Sequence, residues 1–306
     1  MPDSGPILAI RETESRAAPV ARLDALGPEA ALADLCEAQI AAATTVRAAL
    51  PALARAASRA AEALAGSGRL IYAGAGSAGL MALADALELP GTFGIAPERA
   101  PVLFAGAPSS LARMAGAVED DAGAGQADLA RLAPLPADVL ICVSASGRTP
   151  YTLAVAEAAR SAGATVIGIA NTPGAPLLAL ADIAVLLDTG PERIEGSTRM
   201  GAGTAQKIAL NLLSTMMAVA LGHVRDGHMV NLVADNAKLR RRAARIVAEV
   251  AGVAEPVAEA ALARTEGRVK PAILLAAGVP DAATADRLLA DSRGHLAPPL
   301  ARTGRE

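Results

Sequence analysis

Residues 138–169, DVLICVSASGRTPYTLAVAEAARSAGATVIGI, decide the fold of this chain. An apolar run at 138–143 is followed by an amphipathic segment at 150–162 and a second apolar run at 165–169. Short apolar runs bounded by turn residues predict buried strands, whereas the longer segment between them has helical spacing. Two strands joined by a helix in this way form a parallel pair.

The same alternation continues on both sides and predicts a doubly wound α/β fold, a parallel five-stranded sheet flanked by helices. We expect strands at 69–73, 101–105, 138–143, 165–169 and 183–187, and helices at about 77–88, 109–117, 150–162, 174–181 and 200–221. No internal repeat is evident in the sequence.

The segments outside the sheet are predicted to be helical. Two N-terminal helices between 28 and 66, interrupted near Pro51, follow an extended arm at 1–27 of the kind that crosses onto a partner subunit. From 222 onward the pattern is purely helical, and its basic run at 238–242 favours a solvated helix face over a nucleic-acid patch. The predicted domains are an N-terminal arm and helix at 1–52, an α/β domain at 53–222 and a small C-terminal helical subdomain at 223–306.

Composition narrows the classes of partner. The 306 residues are 53% hydrophobic and carry a net charge of −3, without a basic tail that would indicate nucleic acid or an anionic membrane surface. Cys36 and Cys142 lack metal-ligand spacing, and Cys142 lies in an apolar run that predicts a buried strand, so we expect no disulfide and no metal. We find no secretory signal and no membrane-spanning run, and we expect a cytoplasmic protein.

In open α/β sheets, ligands bind beyond the carboxyl ends of the strands. The loop after the third strand combines hydroxyls, a glycine and a cation at a helix start: Ser144, Ser146, Gly147, Arg148 and Thr149. These groups and the backbone N–H groups can all point at one phosphate. A helix N-cap would explain only one of the three hydroxyls. We therefore expect a phosphate site here.

Two further loops leave alternatives open. The turn Gly74-Ala75-Gly76-Ser77-Ala78-Gly79 opens a helix and is either a tight connection or a phosphate contact through Ser77. A dinucleotide site is disfavoured because Phe104 and Ala105 stand where an acidic residue would hold a ribose. The segment 195–200 precedes a long helix containing Lys207, and helix capping by Ser197 or Thr198 competes with ligand contact by Ser197 and Arg199.

Two carboxylates stand out beside these loops. Glu88 is predicted at the end of an apolar helix just before Pro90, where an acid opposes the helix dipole. Glu119 begins the acidic cluster Glu119-Asp120-Asp121, which composition alone would assign to a solvated turn.

With these residues in view, the sequence resembles the sugar isomerase domain superfamily and, within it, the N-acetylmuramic acid 6-phosphate etherases. The likeness runs from Thr13-Glu14-Ser15 through the Gly-rich turn and residues 145–151 to Asn236-Ala237-Lys238-Leu239. The stretch GSTRMGAGTAQKIALNLLST at 196–215 is highly specific for this family.

The resemblance implies a carbon–oxygen lyase that removes D-lactate from N-acetylmuramic acid 6-phosphate in cell-wall recycling and needs no cofactor. A base takes the C2 proton beside the aldehyde of the ring-opened sugar, an acid protonates the departing lactate oxygen, and water adds back. On the family's motifs, Glu88 is the acid and Glu119 the base, with an exchange of the two roles left open. A homodimer with residues from both subunits near the site is also implied.

The chain departs from the etherase pattern in the Gly-rich turn. The pattern has a hydroxyl residue followed by Ser, Gly and Arg, whereas this chain has Ser77, Ala78, Gly79 and Leu80. Gly91 also replaces a proline after Glu88. Two alternatives to the etherase are a non-catalytic regulator that senses phosphosugars, similar to the glucokinase regulatory proteins, and a sugar-phosphate isomerase.

Overall fold

The structure, a computed structural model, describes residues 22–107 and 109–304. The strands are β1 (Leu70–Gly74), β2 (Val102–Phe104), β3 (Val139–Val143), β4 (Thr165–Ala170), β5 (Ile183–Leu186), β6 (Val224–Arg225) and β7 (His228–Met229). The helices are α1 (Pro28–Ala65), α2 (Gly76–Phe93), α3 (Ser109–Ala112), α4 (Ala122–Arg131), α5 (Pro150–Ser161), α6 (Pro176–Leu180), α7 (Gly201–Ala220), α8 (Ala237–Ala251), α9 (Glu255–Arg264), α10 (Val269–Ala276), α11 (Ala282–Asp291) and α12 (Ala297–Ala301).

The five predicted strands form one parallel sheet in the order β2-β1-β3-β4-β5. Every residue of β1 and β3 is buried, which explains why both strands are continuous apolar runs rather than alternating ones. Cys142 lies fully buried in β3, as predicted. The doubly wound α/β fold class is therefore confirmed.

The N-terminal helix is continuous, so the predicted interruption at Pro51 is wrong. α1 runs for 38 residues with Pro51 inside it. A proline deprives the carbonyl four residues earlier of its helical partner. Both Pro51 and Arg47 are exposed, so water can satisfy that carbonyl and the helix need not break. The predicted arm at 1–27 and the segment Thr13-Glu14-Ser15 lie outside the described residues, except for 22–27.

The helix predicted at 109–117 is also wrong. α3 ends at Ala112, a short 3₁₀ turn covers Gly116–Asp120, and the longer helix here is α4. The Asp121 side chain accepts a hydrogen bond from the Ala124 N–H at 2.8 Å and so begins α4. The acidic cluster is thus divided between a turn and a helix cap, which its composition alone did not reveal.

The chain divides into two compact units. The first comprises the described residues up to Ala56, with Leu70–Asp85 and Val102–Leu212. The second comprises Ala57–Arg69, Ala86–Pro101 and the residues from Leu213 onward.

A buried polar network in the first unit ties α2 and α7 to the sheet. Tyr72 of β1 donates its hydroxyl to Asp85 Oδ2 at 2.8 Å, and Asn211 Nδ2 donates to Asp85 Oδ1 at 2.7 Å. Burial and the neighbouring carboxylate raise the pKa of Tyr72 well above its usual value, so the hydroxyl keeps its proton and donates. Both carboxylate oxygens are satisfied, as a buried acid requires.

The second unit has an apolar core formed by α8 to α12 and by residues next to β7, including Val230, Val247 and Ile273. The expected purely helical pattern is wrong at β6 and β7, which form a short antiparallel hairpin. Asp226 and Gly227 both have positive φ at its turn, and an Asp-Gly pair is the local signal for such a turn. Lys238, Arg240 and Arg241 of the basic run are exposed on α8, which confirms the predicted solvated face.

Two turns in this unit share a hydrogen-bonding pattern. They are the turn between α9 and α10 and the turn between α11 and α12. Thr265 and Ser292 each donate a side-chain hydrogen bond forward, to the carbonyls of Arg268 and His295 respectively. Gly267 and Gly294 follow with φ of 79° and 81°.

A basic cluster in the same unit has no partner of opposite charge at close range among the described interactions. Lys270 is only 6% exposed, and its ammonium donates to the Gly294 carbonyl at 2.8 Å. Burial lowers the pKa of Lys270 to about 8. Burial first, and then the charges of Lys270 and His295, lower the pKa of His223 to about 4.

We predict that this cluster makes the protein less stable at acidic pH. Between the unfolded pKa of His223, 6.5, and the folded value of about 4, the unfolded chain binds more protons, so stability falls as pH decreases through this window. At about 1.4 kcal/mol per pKa unit the contribution is about 3 kcal/mol.

Denaturant unfolding at pH 7 and pH 4.5 should therefore give a smaller loss of stability for His223→Gln than for the parent protein. Equal losses of stability in the two proteins would contradict the prediction.

Candidate functional site

The candidate site lies in the first unit, where the strand order reverses direction. β1 pairs with β2 on one side and with β3 on the other, so the connections that follow β1 and β3 diverge at this point. In parallel α/β sheets, this switch point leaves a crevice beyond the strand ends. A cavity of about 270 Å³ lies there.

Four segments line this cavity. They are the turn after β1 (residues 75–78), the region before α4 (Met114, Glu119 and Asp120), the loop after β3 (Ser144–Ser146 and Arg148–Pro150) and the loop before α7 (Gly196 and Thr198). The structure thus brings together six residues that the sequence singled out: Ser77, Glu119, Ser144, Ser146, Arg148 and Thr149. Gly147, Ser197, Arg199 and Lys207 are not among the lining residues, and Glu88 belongs to the other unit.

The loop after β3 is organised by its own hydroxyls. The Ser144 hydroxyl is 2.8 Å from that of Thr149 and accepts the Gly147 N–H at 3.1 Å. The Ser146 hydroxyl accepts the Arg148 N–H at 3.2 Å, which leaves its own O–H free to donate to a ligand. Ser144 is 3% exposed and therefore shapes the loop. Ser146 and Thr149 are partly exposed and Arg148 is exposed, so these three side chains can contact a ligand.

Gly147 contributes conformation and space to this loop. Its φ is +58°, and a Cβ atom there would lie 2.5 Å from the Ala175 Cβ. A side chain at this position would push the loop away from the helix-bearing segment behind it. From the other side, the N–H of Asn171 and the hydroxyl of Thr172 both donate to the Ala145 carbonyl, at 2.9 and 3.3 Å. The loop is therefore held at the end of β4 as well as at the end of β3.

The Gly-rich turn after β1 is a tight connection that also receives a carboxylate. A Cβ atom on Gly79 would lie 2.9 Å from the Gly74 carbonyl carbon, so α2 begins in direct contact with the end of β1. The side chain of Glu119 lies against Gly76. Burial, and then the charge of Asp120, raise the pKa of Glu119. A higher pKa brings the group closer to the range in which a general base works near neutral pH.

The loop before α7 is fixed by a buried acid that the sequence reading missed. Glu192 is 5% exposed, and its two carboxylate oxygens accept the N–H groups of Gly201 and Ala202, each at 2.9 Å. The N-terminus of α7 is thereby capped, and the capping role considered for Ser197 or Thr198 is wrong. A carboxylate nine residues before the helix gives no capping-box spacing, so only the folded loop reveals it.

Glu88 differs from its sequence-based description. α2 continues past Pro90 to Phe93, so Glu88 is not the last residue of the helix, and its side chain is exposed. The prediction that Glu88 ends the helix is therefore wrong. Among the described residues, no group of three or more His, Cys, Asp and Glu side chains is placed to hold a metal ion. None of the described helices combines the length and apolarity needed to cross a bilayer.

Comparison with known proteins shows which family the chain belongs to. A model of the SIS domain matches residues 37–171, which contain β1 to β4 and three of the four segments that line the cavity. An N-acetylmuramic acid 6-phosphate etherase of Deinococcus radiodurans is 47% identical over 265 residues, covering 87% of each chain. The chain belongs to the N-acetylmuramic acid 6-phosphate etherase family.

Further members of the family have comparable similarity. The etherase of Streptomyces avermitilis is 44% identical over 85% of this chain and 84% of its own, and that of Serratia proteamaculans is 43% identical over 83% and 85%. Among solved structures, a phosphoheptose isomerase from Francisella tularensis covers 63% of this chain and 100% of its own, with a TM-score of 0.49 and 19% identity. That structural likeness is too weak to support a functional argument.

We predict that the Ser146 hydroxyl contributes to phosphosugar affinity. Ser146→Ala should weaken binding of N-acetylglucosamine 6-phosphate by about 1–3 kcal/mol, because a hydrogen bond to a charged oxygen is lost. Titration calorimetry measures this, with unphosphorylated N-acetylglucosamine as a second ligand that should show a smaller difference. Ser161→Ala, whose hydroxyl only bonds the Glu157 carbonyl within α5, is the matched control. Unchanged affinity of Ser146→Ala would exclude the contact.

Proposed function

We propose that this protein is a carbon–oxygen lyase that cleaves the D-lactyl ether of N-acetylmuramic acid 6-phosphate, giving N-acetylglucosamine 6-phosphate and D-lactate. The observation that carries the proposal is the 47% identity to an etherase over 87% of both chains. The cavity supports it, because hydroxyl and cationic groups line one side and a half-buried carboxylate lines another. The reaction belongs to amino-sugar catabolism during peptidoglycan recycling.

The phosphate anchor in this proposal is the loop after β3. Ser146, Arg148 and Thr149 face the cavity and together offer two hydroxyls and a guanidinium. Fixing the phosphate on C6 restricts the rest of the open-chain sugar, so that bringing C2 to Glu119 costs less entropy. Ser77 adds a hydroxyl from the turn after β1, where Ala78 presents only a methyl group. Ser144 and Gly147 act by shaping the loop, and Ser197, Arg199 and Lys207 enter the proposal through family resemblance alone.

The proton transfers are assigned to carboxylates. Glu119 removes the C2 proton, which the neighbouring C1 aldehyde acidifies, and the C3–O bond then breaks to form a C2–C3 double bond. The departing lactate oxygen takes a proton from an acid, and water adds to C3 while C2 is reprotonated. Atoms balance as one water consumed and one lactate released. Glu88 is the acid by family resemblance; Asp120 is a second candidate because it lines the same cavity as Glu119.

We predict that the purified protein releases D-lactate from N-acetylmuramic acid 6-phosphate. Glu119→Gln and Glu88→Gln should each lower kcat at least about 100-fold, because a proton-transfer group is lost, while phosphosugar binding persists. Asp120→Asn, which keeps the size of the side chain, should retain most of the turnover. Lactate is measured with a D-lactate dehydrogenase, and binding by calorimetry.

The alternative outcomes separate the candidate functions. Phosphosugar binding without lactate release or aldose–ketose conversion would support a regulator instead of an enzyme. Conversion without lactate would support an isomerase. A large loss of turnover in Asp120→Asn together with normal turnover in Glu88→Gln would transfer the acid's role to Asp120.

We also propose a cytoplasmic homodimer. Leu32 and Ile40 are 66% and 53% exposed and lie eight residues apart on α1, so they share one helix face. Exposed apolar residues arranged on one face favour a subunit interface. An exposed thiol at Cys36, between them on the same face, suits a reducing compartment.

Light scattering should give twice the chain mass of 30.5 kDa, and Ile40→Glu should shift the measured mass toward that of the monomer. A monomeric parent protein would exclude the dimer.

A further inference from the structure

Gly76 and Glu119 come from distant parts of the sequence and share one position at the cavity. A Cβ atom built on Gly76 would lie 2.5 Å from Glu119 Oε1 and 3.3 Å from its carboxyl carbon. The first distance is far inside van der Waals contact, so the two groups cannot coexist in this arrangement. The carboxylate therefore occupies the space that any side chain at position 76 would take.

Gly76 differs from most other glycines of positive φ in this respect. Its φ is +53°, and Gly174, Gly190 and Gly227 have comparable positive values, yet a Cβ atom on any of these three would meet nothing within 4 Å. Their requirement for glycine is conformational only. Gly76 has the same conformational requirement and, in addition, a functional side chain in contact with it.

The segment that carries Glu119 is anchored on both sides of it. Val118 packs against the core of the first unit, and a Cβ atom on Gly106 would lie 2.9 Å from the Val118 Cγ1. Asp121 is fixed as the cap of α4. With its neighbours held in this way, the Glu119 backbone has little freedom to retreat, so a group inserted at position 76 must displace the carboxylate itself.

We propose that Gly76 is a positioning residue for the lyase reaction, in which the space left by its missing side chain holds the Glu119 carboxylate at the cavity. The inference rests on the proposed function, which makes Glu119 the base at C2. It assigns Gly76 to the carboxylate, while the loop after β3, together with Ser77, binds the phosphate.

The proposal predicts a defect in turnover rather than in binding. Gly76→Ala should lower kcat about 100-fold, since a displacement of about 1 Å in a reacting group has effects of this size. KM should change less than about threefold, because the phosphate loop is untouched. Gly190→Ala is the matched control: it introduces the same methyl group at a φ of +65° in open space, and should keep the parent's kcat. A Gly76→Ala protein with the parent's kcat would overturn the proposal.

A double substitution tests whether Gly76 acts through Glu119. Glu119→Asp withdraws the carboxylate by one methylene and should lower kcat alone, but in the Gly76→Ala background it relieves the clash. The double variant should therefore be at least as active as Gly76→Ala, whereas a merely structural role for Gly76 would make the two losses multiply. Multiplying losses would count against the proposal.

Thermal unfolding tests the contact between Gly76 and Glu119 without requiring enzymatic activity. Glu119→Ala should recover most of the melting temperature lost in Gly76→Ala, down to the loss that Gly190→Ala shows. If the parent protein releases no lactate, the proposed function fails, yet this recovery still decides whether Gly76 and Glu119 compete for the same space. Absence of any recovery would refute the contact.

Discussion

The pairing of β1 with β3 is the constraint on which the rest of the structure depends. The two strands are in register along their whole length, from Leu70 opposite Val139 to Gly74 opposite Val143. Because both are parallel and end together, the turn after β1 and the loop after β3 emerge side by side. Since β2 then lies on the far side of β1, the two connections part and leave a crevice. The cavity exists because of this strand order.

The negative and positive side chains of the site line different sides of the cavity. The negative groups Glu119 and Asp120 precede α4, and the cation Arg148 stands with the hydroxyls in the loop after β3. An elimination on a phosphorylated sugar needs this separation, because a base beside the phosphate would be repelled by it and would lose its proximity to C2. Burial raises the pKa of Glu119, and the charge of Asp120 acts in the same direction.

Much of this arrangement follows from local sequence. The five strands are short apolar runs whose positions can be read directly from the sequence, and the hydroxyls at Ser144, Ser146 and Thr149 mark their loop without any structure. The helix break predicted at Pro51 was wrong because the rule that a proline ends a helix takes no account of solvent. At an exposed position, water satisfies the carbonyl that the proline leaves unpaired. α4 was not predicted because its first turn depends on capping by Asp121, which lies in an acidic cluster that composition assigns to a solvated turn.

The sequence by itself determined the α/β class and the family, and it predicted a phosphate site in the loop after β3, because each depends on residues that are near one another in the chain. Tertiary structure alone decided that Glu119 lies on Gly76, that Glu192 caps α7, and that Glu88 is an exposed residue inside a longer helix. Each of these depends on contacts or burial that sequence spacing does not encode. Strand order brings the turn after β1 to the carboxylate, and the same glycine that reads as a tight turn in the sequence becomes, in the fold, the space that holds it.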